Sequence, residues 1–133
     1  MFEVIHHTAD VRLRVSAATL EELFRDAVRG MYAVMRGEAR GGERVHRVIA
    51  VDESADTTAL LVDFLNEVLN RAQIGQELFE DVRFTRFEPE SLTAELTGTA
   101  PAEFEEDVKA VTYHEADVRR EEGGWATMLV FDL

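Results

Sequence analysis

The chain has 133 residues, 46% of them hydrophobic, which suits one domain with a real core and argues against disorder. Its 27 acidic residues against 14 basic ones give a formal charge of −13, so a broad basic surface for RNA, DNA or anionic lipid is not expected. There is no cysteine, which excludes disulfides, thiolate metal sites and cysteine nucleophiles.

No basic region followed by an apolar run opens the chain, and no apolar stretch approaches the roughly 20 residues that span a bilayer. The expected compartment is therefore the cytoplasm. So acidic a chain favours cations, or a protein with a basic face, as partners. A merely solubilising charge is the plainer alternative.

Phe2, Val4 and Ile5 predict a short first strand. Val11, Leu13 and Val15 alternate with Arg12, Arg14 and Ser16, the period of a strand with one buried face. Between them lies His6-His7-Thr8-Ala9-Asp10, two imidazoles, a hydroxyl and a carboxylate at a break between extended segments. Such a break over a rigid sheet is where chains display chemistry, although Thr and Asp are also ordinary turn formers. Thr19 and Glu22 have capping-box spacing. Leu20, Leu23, Phe24, Ala27, Val28, Met31 and Met35 follow at intervals that make an apolar helical stripe, with Gly37 as its stop.

Ala39 to Glu43 reads as a loop, and its two glycines are far short of a phosphate-binding pattern. Arg44 to Val51 predicts a strand, with His46 on its surface. A second helix starts near Asp56 or Thr57 and carries Leu60, Leu61, Phe64, Leu65, Val68 and Leu69 to about Gln73. Asp63 and Glu67, four apart on its polar side, could hold a divalent ion but read more simply as a solvated face. Leu78 to Phe87 predicts one or two strands, turned by Glu88-Pro89-Glu90-Ser91 into a partner through Leu92, Ala94 and Leu96. Gly98 and Pro101 are expected to close that hairpin, with a helical turn within Pro101 to Asp107. Lys109 to Val118 reads as a strand, Glu121-Glu122-Gly123-Gly124 as a tight turn, and Trp125 to Phe131 as a last strand. The expected architecture is α+β, a single compact two-layer domain over residues 1–133, with two main helices packed on mostly antiparallel strands.

The sequence ends Phe131-Asp132-Leu133, which would bring the Asp132 carboxylate close to the α-carboxylate of Leu133. Two such groups repel unless a cation or hydrogen-bond donors offset them. Solvated carboxylates at a frayed end are the simpler reading.

Three stretches taken together resemble the archease family. They are His7-Thr8-Ala9-Asp10-Val11, Lys109-Ala110-Val111-Thr112-Tyr113-His114, and the ending Val130-Phe131-Asp132-Leu133. The likeness covers essentially the whole chain, with the Leu60–Leu69 helix between the motifs. It departs at His6, where archeases usually carry an acidic residue; if that acid supports the site, metal affinity here is lower. The resemblance implies a compact α+β fold and a protein cofactor with no catalysis of its own. The family serves an RtcB-type RNA ligase, which joins 2′,3′-cyclic phosphate or 3′-phosphate ends to 5′-hydroxyl ends with GTP and manganese. It promotes guanylylation and multiple turnover of that ligase in tRNA splicing and RNA repair.

By match to the family, the metal site would be Asp10, Asp132 and the terminal carboxylate of Leu133. Asp10, Lys109 and Asp132 would carry ligase activation. Three hard oxygen donors suit Ca²⁺, Mg²⁺ or Mn²⁺ better than zinc, and Ca²⁺ is the ion first expected there, with Mg²⁺ or Mn²⁺ as alternatives. Lys109 would set a positive charge beside the acids or reach an anionic group on the ligase or GTP. His7 and Thr8 would brace the turn. The implied partner is the ligase, with no stable direct nucleic-acid binding and no membrane. The competing hypothesis is a small metal-dependent phosphoester hydrolase built on His7, Asp10 and Asp132. It lacks a second ligand cluster and an evident general base.

Overall fold

The computed structural model describes residues 1–6 and 10–133. Strands β1 (Phe2–His6) and β2 (Asp10–Ala17) are antiparallel, and β2 pairs in turn with the last strand, β8 (Gly124–Asp132). The far side of β8 is shared by two short strands. β6 (Ala110–Thr112) pairs with its C-terminal end and β7 (Arg119–Glu121) with its N-terminal end. A second antiparallel sheet has the order β3 (Gly37–Val51), β5 (Ser91–Phe104), β4 (Leu78–Glu88). Helices α1 (Leu20–Met35) and α2 (Thr57–Gly75) touch both sheets. The fold is α+β, as the sequence predicts.

The helices begin where their caps dictate. The Thr19 hydroxyl accepts from the Glu22 amide, and Asp56 accepts from the Ala59 amide, each relieving a free first-turn donor. Each helix ends on a residue in the left-handed region, Arg36 and Gln76. Gly37, expected to be the stop of α1, is instead the first residue of β3.

The hydrophobic side chains form one continuous cluster that includes Leu13, Phe24, Met31, Leu60, Phe64, Leu96 and Phe131. Within it Phe24, Phe64, Phe84 and Phe87 make edge and stacked contacts at 4.9 to 6.3 Å between ring centroids, tying both helices to β4.

Four further sequence expectations are corrected. Ala39 to Glu43 is not a separate loop but an irregular stretch inside β3, where the register with β5 shifts. The hairpin is not closed at Gly98 and Pro101, because β5 runs on to Phe104. Gly98 is a close-approach residue there: a Cβ would collide with the Leu78 carbonyl. Residues 101–104 are accordingly strand, not a helical turn. Finally, Lys109 to Val118 is not one strand. It is broken between β6 and β7 by an excursion at residues 113–118, in which Glu115 has a φ of 61°.

Candidate functional site at the end of the five-stranded sheet

The alternation that buries Val11, Leu13 and Val15 turns Asp10, Arg12 and Arg14 to the other face of β2. On β8, Leu129 and Phe131 are fully buried, so Val130 and Asp132 share that opposite face. The register places Asp10 directly opposite Asp132, and Asp132 directly opposite Ala110 of β6. Side chains paired in this way stand about 5 Å apart at Cβ, and like charges so placed destabilise the sheet. Lys109 joins this end of the sheet through its amide, which donates to the Asp132 carbonyl at 2.8 Å. Leu133 follows at once, half-buried against the core.

Charge at the site is partly offset from within the chain. Arg12 Nη1 lies 3.1 Å from Asp10 Oδ1, and Arg12 Nε donates to Glu115 Oε2 at 2.7 Å. The Glu115 hydrogen bond, against some loss of solvation, raises the pKa of Arg12 above its ordinary value. Lys109 is different. Every arginine is either in an ion pair with Asp or Glu or, as Arg120 over Trp125, stacked on a ring. Among the described residues, Lys109 alone of the Lys and Arg side chains has no such partner, and it is exposed.

Helix α2 aligns the motif that contains Lys109. Gln73 Nε2 donates to the Val108 carbonyl at 2.6 Å. Asn66 both donates to the Val111 carbonyl and accepts from the Val111 amide, each at 2.9 Å. Tyr113 donates its hydroxyl hydrogen to Asp63, an interaction that lifts the phenol pKa. The Val118 amide donates to Thr58 Oγ1 at 2.9 Å. Four polar residues of one helix thus meet residues 108, 111, 113 and 118 in antiparallel order. Asp63, a candidate partner of Glu67 for a metal, is instead held by Tyr113 and by Ser54, whose hydroxyl donates at 2.8 Å.

The structure therefore brings Asp10, Asp132, Lys109 and Leu133 to one end of one sheet. His7 and Thr8, expected to brace the turn, lie outside the described residues. Among the described residues no three His, Asp or Glu side chains form a metal-holding cluster. The site offers two facing carboxylates and the chain's last residue. That donor chemistry, hard anionic oxygen with a like-charge conflict, fits a hard divalent cation. Sequence reasoning missed Arg12, Glu115, Asn66 and Gln73. The only available sign was an amide at position 66 between the apolar residues of α2.

A small antiparallel α+β protein whose second and last strands meet in a pair of facing acids is the class defined here. The profile of the Archease protein family (MTH1598/TM1083) matches residues 2–133. The chain belongs to the archease family. It is similar to the protein archease of Methanopyrus kandleri, 35% identical over 144 residues covering 99% of each chain. The solution structure of Methanobacterium thermoautotrophicum protein 1598 superposes with a TM-score of 0.70 at 25% identity, over 99% of this chain and 98% of that one. The crystal structure of an archease, possible chaperone, from Thermotoga maritima gives the same TM-score at 21% identity, over 100% and 98%, a likeness of fold.

Proposed function

We propose that this chain is a metal-binding protein cofactor of an RtcB-type RNA ligase that promotes the ligase's GTP-dependent guanylylation and repeated turnover in tRNA splicing and RNA repair. The observation that carries the reading is the meeting of the three family motifs at one sheet end, Asp10 opposite Asp132 with Lys109 bonded alongside. Asp10, Asp132 and the Leu133 carboxylate would hold the cation, with Ca²⁺ the first candidate and Mg²⁺ or Mn²⁺ the others. The bound cation would supply charge at the tip of the sheet, where the ligase's reacting groups are anionic. Lys109, exposed and without an ion pair among the described residues, would reach an anionic group of the ligase or of GTP. The chain's own acidity suits a partner whose RNA- and nucleotide-binding cleft is basic. The cytoplasm is where such a partner would be met, and among the described residues no helix is long and apolar enough to cross a membrane.

The test is ligation under limiting ligase, with this chain added substoichiometrically. The wild type should raise guanylylation rate and turnover number. Asp10→Ala and Lys109→Ala should each remove most of the effect while remaining folded by circular dichroism. A tag appended after Leu133, which replaces its carboxylate by an amide, should also lower activation. Equal ligation with and without the wild-type protein overturns the reading.

A further inference from the structure

Arg12 lies against Asp10, one of the carboxylates proposed above to hold the cation. It sits two residues from Asp10 on the same face of β2, with its guanidinium reaching back to Asp10 Oδ1. Its side chain is only 19% exposed, and that of Asp10 28%, so the contact is partly withdrawn from solvent. The guanidinium is not loosely placed, because its Nε is fixed to Glu115 at 2.7 Å. Glu115 belongs to the 113–118 excursion, which α2 holds through Tyr113 and Val118. Arg12 is therefore clamped from the excursion side and presented to Asp10. Val130, its cross-strand neighbour on that face, is only 4% exposed.

We propose that Arg12 is a built-in counter-ion that competes with a divalent cation for Asp10 and so sets the metal affinity of the site. The proposal rests on the metal-binding reading above. Without Arg12, Asp10 and Asp132 would face each other uncompensated. With it, Asp10 already has a cationic partner at 3.1 Å, and an incoming dication must break the Arg12 contact and tolerate a guanidinium close by. Loss of metal from such a site leaves the sheet end paired rather than repelling. Metal entry releases Arg12 towards Glu115, on the segment that follows Lys109-Ala110-Val111-Thr112.

The experiment is calorimetric titration of untagged wild type, Arg12→Ala, Arg14→Ala and Asp10→Asn with Ca²⁺ and separately with Mn²⁺. Arg14 shares the face of Arg12 but is paired with Glu3 at 3.6 Å, so its removal controls for simple loss of a positive charge. Arg12→Ala should bind the cation about tenfold more tightly than wild type, the scale of a partly desolvated ion pair that no longer has to be broken. Arg14→Ala should change affinity less than about twofold, and Asp10→Asn should bind much more weakly. Equal or weaker binding by Arg12→Ala overturns the proposal and leaves the metal reading intact, as does an equal gain in Arg14→Ala. Absence of binding by wild type and Arg12→Ala alike overturns the metal reading itself. Far-UV circular dichroism and a urea midpoint on each variant confirm that binding is compared between folded proteins.

Discussion

Glu77 is a carboxylate only 2% exposed, just past the end of α2. Arg47 grips it with two nitrogens, Nη2 to Oε2 at 2.6 Å and Nε to Oε1 at 3.2 Å, while Arg71 lies 3.5 Å away. A buried charge is tolerated only while it is paired, because desolvation alone costs several kcal/mol. Removing Arg47 should therefore hurt more than removing the pair. Arg47→Met is expected to cost about 3 kcal/mol in urea unfolding, whereas Arg47→Met combined with Glu77→Leu should cost clearly less. A double variant as unstable as the single one would show that the pair is not what holds this corner. None of this was legible in Gln76-Glu77-Leu78, which reads as an ordinary polar helix exit. The burial depends on a strand 30 residues away in sequence, and local pattern carries no such information. Asp10 and Asp132 were legible for the opposite reason. They sit inside two of the three stretches that carry the archease resemblance, whereas Arg12 reads as one more residue on the wet face of a strand.

The element that orders the candidate site is α2, not the strands that display it. Asn66 satisfies both backbone groups of Val111, so the short strand β6 is held by β8 on one side and by a helix side chain on the other. Asn66→Ala would remove two hydrogen bonds, each worth about 1 kcal/mol net, and leave the Val111 amide exposed or unpaired. The expected result is a loss of about 2 kcal/mol in global stability, with earlier hydrogen exchange of the Val111 amide than of the amides within β2. Unchanged protection at Val111 would mean that β8 alone fixes β6. The apolar stripe of α2 and its Asp56 start were legible because burial at helical spacing is a local pattern. The break after Thr112 was not. Its residues, including Val111, Tyr113 and Val118, have strand character, and what interrupts them is the line of side chains that α2 offers to residues 108–118. Gly98 and Pro101 misled in the converse way. As punctuation they signal a turn, but within a strand Gly98 serves a close approach of backbones.

Across the whole molecule the charges divide into two populations. The arginines are almost all spent in ion pairs, most of them exposed and individually worth little to stability. The remaining acids leave a net −13 spread over 133 residues, a field that acts at the range of the Debye length rather than through contacts. On the proposed function, in which the chain docks on a ligase with a basic cleft, that field would govern encounter, while Lys109 and the sheet-end acids would govern what happens after docking. The two roles are separable by salt. Affinity for the ligase, measured by fluorescence anisotropy, should fall at least about tenfold between roughly 50 and 300 mM NaCl, chiefly through a slower association rate. Lys109→Ala should leave that salt slope nearly unchanged, because one charge of 14 basic residues hardly alters the overall field. It should nevertheless remove most of the stimulation of guanylylation at saturating cofactor. Salt-independent affinity would assign docking to apolar contacts instead. A steeply altered slope in Lys109→Ala would make that lysine part of the encounter surface and not of the step that follows.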